Sequence, residues 1–367
     1  MNLNPLKILY KRISFTSAVL LPVLIAYLAI TFVIFYRAVI PSYEDGSTSW
    51  TFAVDSTIYT DYADSLRAGR NDPLVLGALA YFPNTLWAPV LIALALNSAL
   101  LVMLLNYALF VISIWILKRG FSISAAALVV LLLLNPTTTT SLLCVNKEVL
   151  DLFSISIFLY SQRKHNSWLL LIALGLALFN RYEICIVMLV YKIAQSGLNP
   201  WREKRFVTLL LLVGSLNFAM PIWGARELAR RFNEAQYAGF VKVLDNLQMH
   251  YLYVLAVIPK IAENLFGQLV NPLVWQEPNS WLYINFFNNL AYVILILVLI
   301  KKRQLKLRND LVYFGTLGAV IVAQALVIQP RYFYFMYVLL CLQAAHKGAP
   351  GRAVNPSHHP PLAFADA

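Results

Sequence analysis

The chain predicts an all-α fold, a polytopic integral membrane bundle of about ten transmembrane helices with two larger extracytoplasmic segments, and three features of its 367 residues predict it. Sixty per cent of the residues are hydrophobic and only 13% are charged, whereas about a quarter are charged in an ordinary soluble domain, which must cover its surface against water. At least six stretches of 11 to 30 residues are nearly uncharged, so the main solvent of the chain is lipid. The bases cluster at the ends of those stretches, so the formal charge of +12 reads as membrane topology and not as a nucleic-acid surface. A soluble enzyme is excluded on composition. Cys144, Cys185 and Cys341 lie in or beside apolar helices, at no metal or disulfide spacing, and read as helix-packing residues.

In chain order, Ile13 to Phe35 is a 23-residue apolar run preceded by Lys7, Lys11 and Arg12. It is long enough to cross about 30 Å of hydrocarbon and lacks a small-residue cleavage site, so it reads as a first membrane helix with its basic flank in the cytoplasm. The segment from 36 to 85 carries six acids against three arginines and falls outside, and Leu86 to Leu117 returns to Lys118 and Arg119. Four shorter runs follow: Phe121–Leu134, Val149–Tyr160, Trp168–Phe179 and Ile184–Ala194, each of 11 to 14 residues. At about 17 to 21 Å none crosses the hydrocarbon alone. They are expected to form two helical hairpins, basic ends in the cytoplasm, with polar tips at Asn135-Pro136 and its threonine run and at Asn180–Glu183 stopping within the membrane's depth. Phe206–Trp223 leads to the second outer segment, 224 to 280; Trp281–Ile300 descends to Lys301-Lys302-Arg303, Leu311–Ile328 rises, and Phe333–Ala345 returns. The domain reading is a single transmembrane domain over 1–345 and a disordered cytoplasmic tail over 346–367. On this topology the inner side carries +15 and the outer side −3, as the positive-inside rule requires.

A rival topology runs one span through Trp168–Tyr191 and another through Tyr251–Leu273, which also gives ten helices and the same number of Lys and Arg residues inside. It places Arg181, Glu183, Lys260 and Glu263 within the bilayer, at roughly 2.5 to 3.5 kcal/mol each on insertion scales, and the hairpin topology is favoured. In the favoured topology Ala225, Leu228, Phe232 and Ala235 form the apolar stripe of an interfacial helix over Gly224–His250, and Tyr251–Trp275 is re-entrant or lies on the surface.

The hairpin topology brings four polar groups to the outer ends of different helices: Asp55, Lys147-Glu148, Arg181 with Glu183, and Arg331. A carboxylate among fixed cations suits chemistry on a lipid-linked phosphate, because the acid takes a proton while the cations stabilise the leaving phosphate. Arginine adds a planar fork that binds phosphate oxygens in pairs. Each group also has a plainer reading. Asp55 fits a helix cap, Lys147-Glu148 a neutralising pair at a helix start, Arg181–Glu183 an internal ion pair, and Arg331 an interfacial anchor. The chain has no Walker loop, dinucleotide fingerprint, nucleophile elbow or zinc-type histidine spacing. His165, His250 and His346 are isolated, and His358-His359 falls in the tail. The cofactor expectation is none, and no metal.

The strings Asp55-Ser56-Thr57-Ile58-Tyr59, Asn146-Lys147-Glu148-Val149-Leu150-Asp151, Gly175–Arg181 and Arg331-Tyr332-Phe333-Tyr334 resemble, in that order, features of the GT-C superfamily of membrane glycosyltransferases. There an acidic loop after the first helix supplies the catalytic base, a second acidic loop follows, a short rising helix ends in a basic residue, and a late Arg-Tyr starts an outer helix. The chain also resembles bacterial polysaccharide repeat-unit polymerases. The resemblance implies a GT-C-like bundle in the bacterial inner membrane, multi-pass with both termini cytoplasmic. Its implied activity moves a sugar, with inversion, from a polyprenyl-phosphate donor to a glycan or glycolipid acceptor at the extracytoplasmic face. Asp55 and Glu148 are then the catalytic candidates, and Lys147, Arg181, Glu183, Arg331, Tyr59 and Tyr332 the substrate-binding ones. The partners are the polyprenyl-phosphate-linked sugar, the acceptor and membrane lipids, with no nucleic acid. The alternatives are a polymerase using pyrophosphate-linked oligosaccharides, with Arg226, Arg230 and Arg231 adding positive charge, and a lipid flippase or transporter, which also buries charges in the membrane. The outer segments after the first and seventh helices do not repeat each other, which favours an enzyme over a transporter.

Overall fold

The structure is a computed structural model that describes residues 86–96, 98–223, 240–271, 280–324 and 330–346, with scattered positions between 26 and 64. Apart from one isolated bridge between Ile123 and His346, the regular structure of the described residues is helical. The longer helices are α1 (Trp87–Leu94), α2 (Ala99–Gly120), α3 (Ala125–Leu133), α4 (Pro136–Leu143), α5 (Lys147–Lys164), α6 (Ser167–Asn180) and α7 (Tyr182–Gln195). They continue with α8 (Arg205–Trp223), α9 (Phe240–Met249), α10 (Tyr253–Phe266), α11 (Ser280–Lys301), α12 (Asp310–Val322) and α13 (Tyr334–Ala344).

The helix starts follow from local chemistry. The side-chain oxygens of Ser98, Ser124, Asn135, Asn166 and Asn309 each accept a hydrogen bond from a backbone N–H in the first turn of α2, α3, α4, α6 and α12, satisfying donors that have no partner within the helix. At Asn135 the cap is followed by Pro136 in the first turn, and the chain bends by 87° between α3 and α4. The threonine run that the sequence marks as a tip is therefore the body of α4, with Thr137, Thr138 and Ser141 buried. The run Leu86–Leu117 is also not one helix. It breaks between Leu94 and Ala99, where Leu96 takes a left-handed φ of 54° and Ser98 caps the next helix. α5 ends at His165 in the left-handed region, with Arg163 and Lys164 in its last turn at the negative end of the helix dipole.

Helices α5, α6 and α7 run alternately up and down. Asn180, ending α6, donates from Nδ2 to the Lys147 carbonyl and to Asp151 Oδ1 at the start of α5. Lys192, near the end of α7, donates to Gln162 near the end of α5 at 3.0 Å. The chain thus reverses at Arg181, whose backbone is extended (φ −155°, ψ 95°), and Trp168–Tyr191 forms two helices and not one span. Similarly, Asn309 before α12 donates to Gln343 at the end of α13, so these two helices are antiparallel. Gly318 allows their close approach, since a Cβ there would overlap the Phe335 ring and meet Val187 Cγ1 at 3.0 Å.

The same contacts gather the basic clusters at one end. The Arg163 guanidinium lies 5.0 Å from the Phe121 ring, Ser124 N–H donates to the Ala345 carbonyl, Lys302 donates to the Ala344 carbonyl, and Arg205 donates to the Leu307 carbonyl at 2.8 Å and pairs with Asp310.

Polarity is inverted relative to a water-soluble protein. α2 exposes Leu104, Val111, Ile112 and Trp115 and buries Asn106 and Ser113, with Asn106 donating to the Cys144 carbonyl at 3.0 Å. In α10, Val254, Leu255 and Ile258 are exposed, whereas Lys260 is fully buried against Asp245 of α9. Lys260 also donates to Gln248, which in turn donates to the Gln324 carbonyl at 3.0 Å, and Asn289 donates to the Asn264 carbonyl at 2.8 Å. Charges buried and paired while large aliphatic side chains face outwards are what a lipid surrounding selects. Two described helices, α2 and α11, are long and apolar enough to cross a membrane, and the bent α3–α4 pair makes a third if counted as one span. α10 has 14 residues with Pro259 inside it and is too short to span alone. The stripe from Ala225 to Ala235 and the proposed tail after His346 lie outside the described residues, while His346 itself pairs with Ile123 in the isolated bridge. Cys144, Cys185 and Cys341 are buried, as packing residues should be.

Candidate functional site

Opposite the basic end, the helix tips form a buried polar cluster. Asn146 caps α5 and places Lys147, Glu148 and Asp151 in its first two turns. Residues three apart share a helix face, so Glu148 and Asp151 both point towards the break between α6 and α7, where Arg181 enters. Arg181 Nη2 donates to Glu148 Oε1 at 3.1 Å, and its Nε lies 3.4 Å from Asp151 Oδ2. The three side chains are 6%, 0% and 0% exposed. Ser141 of α4 donates to Glu148 Oε2 at 3.1 Å, and Asn180 to Asp151 Oδ1 at 2.7 Å. Two carboxylates face one guanidinium, and when all three are ionised the trio carries one negative charge.

A second layer comes from the turn before α13. Arg181 Nη1 donates to the Arg331 carbonyl at 3.4 Å, and the guanidinium carbons of Arg181 and Arg331 lie 5.2 and 5.7 Å from the Tyr332 ring. That ring is attracted to both cations by its quadrupole. Tyr334 shares a buried hydrogen bond of 3.0 Å with Thr138 of α4, and Tyr292 of α11 donates to the Phe333 carbonyl at 2.6 Å, fixing the turn. Lys147 Nζ lies 5.8 Å from the ring of Tyr59, which is itself buried.

Thus Lys147, Glu148, Arg181, Arg331, Tyr332 and Tyr59 meet at one end of the molecule. Glu183 sits in the first turn of α7, half-buried, and its Oε2 accepts no hydrogen bond from any described residue. Asp55 lies outside the described residues. Arg181 and Glu148 form the buried interior of the cluster, whereas Lys147, Arg331 and Glu183 are half-buried at its edge. The fork of Arg181 is occupied by carboxylates, so in this arrangement it ties the helix tips together. Asp151 and Asn180 were not among the sequence candidates. The signal for Asp151 is its spacing of three from Glu148, and that for Asn180 is its place in the polar tip that ends the run from Trp168 to Phe179. Neither a protein-family model, nor a curated protein, nor a solved structure matches the chain.

Proposed function

We propose that this protein is a membrane glycosyltransferase of the bacterial inner membrane, a bundle of about ten helices like those of the GT-C class with both termini in the cytoplasm. It moves a sugar from a polyprenyl-phosphate donor to a glycan or glycolipid acceptor at the extracytoplasmic face. The observation that carries the reading is the meeting of Lys147-Glu148, Arg181 and Arg331-Tyr332, far apart in sequence, at the end of the molecule opposite the basic clusters. Asp55 takes the proton of the acceptor hydroxyl; the freed oxygen attacks the anomeric carbon, and the bond to the phosphate breaks with its electron pair going to the departing polyprenyl phosphate. Inversion follows from that single displacement. Lys147 and Arg331 stabilise the leaving phosphate, while Glu148, with Asp151, holds Arg181 and the helix tips in register. Tyr59 and Tyr332 support the two edge cations.

The test is release of polyprenyl phosphate from a panel of radiolabelled polyprenyl-phosphate hexoses by the purified, lipid-reconstituted protein. Asp55→Asn keeps the shape and most of the capping ability of the aspartate but removes its basicity. It should reach the membrane at wild-type level and lose product formation by roughly 10² or more, the scale of general-base loss. Wild-type product from Asp55→Asn would reduce Asp55 to a helix cap, and no turnover of any lipid-linked sugar would remove the transferase reading.

A further inference from the structure

At the basic end, away from the polar cluster, α12 and α13 leave a crevice of about 230 Å³ between them. Its walls include Leu305, Leu311, Val312, Gly315, Met336 and Leu339. Thr316 also lines it, but its hydroxyl is committed to the Val312 carbonyl at 2.8 Å, so the crevice offers no hydroxyl seeking a partner. Leu305, Val312, Thr316 and Met336 are half-exposed, so the crevice opens to the surroundings. Its volume is below the roughly 300 to 1,000 Å³ of sites for drug-sized ligands, which suits a slender aliphatic chain. The connection that borders it, from Leu305 to Leu311, carries exposed Lys306 and Arg308, and Lys301 and Arg303 lie exposed just before it. The one acid of this connection, Asp310, is paired with Arg205. An apolar slot beside uncompensated bases has the two chemistries of one ligand class.

We propose that the crevice binds an acyl chain of an anionic phospholipid whose headgroup phosphate rests on Lys306 and Arg308. Chain burial supplies adhesion, and the bases supply selection for negative headgroups. The site rests only on the membrane surroundings of the chain and is independent of the transferase reading.

The experiment uses the full-length protein in phosphatidylcholine nanodiscs doped with phosphatidylglycerol or phosphatidylcholine that carries a photoactivatable diazirine on its acyl chain. After irradiation, labelled peptides should concentrate in 305–316 and 336–340, with phosphatidylglycerol ahead of phosphatidylcholine by roughly thirty-fold, as two bases near the surface would give. Lys306→Gln with Arg308→Gln should bring the two lipids level. Gly315→Leu should abolish both labels, because a Cβ there meets Leu339 Cδ1 and Met336 Cγ at an ordinary 3.7 Å and the longer side chain then fills the slot. If Gly315→Leu fails to insert, the peptide map of the wild type and the charge variant decide alone. Labelling spread evenly over the lipid-facing helices, an unchanged lipid preference in the charge variant, or wild-type labelling of a folded Gly315→Leu would overturn the site.

Discussion

Arg181 is held by Glu148, Asp151, the Arg331 carbonyl and the Tyr332 ring at once, and it is nearly inaccessible. Removing one partner of a buried ion pair leaves charge without compensation and costs about 3 to 5 kcal/mol. Arg181→Met should therefore lower the thermal unfolding temperature sharply in detergent, and combining it with Glu148→Gln and Asp151→Asn should recover much of the loss. A triple variant no better than the single one would show that Arg181 matters for something other than neutralising the two acids. Arg331 behaves differently because its side chain is half-buried and its carbonyl, not its guanidinium, receives Arg181. Arg331→Lys keeps the charge but loses the planar fork. It should leave membrane level and helix content unchanged while turnover of lipid-linked donor falls strongly. An interfacial anchor would accept lysine, so unaltered turnover would remove the phosphate role.

At the scale of elements, the contact of α12 with α7 and α13 depends on a missing side chain. Gly318 faces Phe335 and Val187 with no room for a Cβ, and overpacking of this kind typically costs about 1 to 3 kcal/mol. Gly318→Ala should destabilise the protein by that amount despite the better helix propensity of alanine. Phe335→Leu, which removes the ring that the new methyl would strike, should relieve part of the cost in the double variant; strictly additive losses in unfolding measurements would mean that the two residues do not meet. The hairpin reversal at Arg181 belongs to this scale too. Sequence already disfavoured a continuous Trp168–Tyr191 span because of Arg181 and Glu183, and the structure adds the extended backbone and the contacts of Asn180 and Lys192 with opposite ends of α5.

For the whole molecule, the separation of a basic end from a tip end predicts how the chain sits in a bilayer. Single-cysteine variants at Asp72 and Gln276 should react with a membrane-impermeant thiol reagent from outside intact cells, and a variant at Lys302 should react only after permeabilisation. Labelling of Gln276 from the cytoplasmic side alone would reverse the second outer segment and the direction of the candidate site. The inversion of polarity also operates at this scale, since exposed Leu255 and Ile258 beside a buried Lys260 fit helices whose outer solvent is apolar.

The sequence by itself determined that lipid is the main solvent and that the regular structure is helical, because composition and apolar runs are local properties. It also nominated Lys147, Glu148, Arg181 and Arg331 as groups at helix tips. Tertiary structure decided which of them touch. Glu148 and Arg181 are 33 positions apart, as are Asn180 and Lys147, and their pairing depends on the turn after α5 and the depth at which α6 ends. It decided the break before Ser98, where a left-handed Leu96 interrupts a run that looks uniformly apolar. It decided the fate of Lys260, which sequence alone treats as a costly charge in a possible span and which packing pairs with Asp245 from the preceding helix. For the tip cluster and for Lys260 the physical reason is the same: a burial cost is legible along the chain, whereas its compensation comes from groups that only folding brings within hydrogen-bond distance.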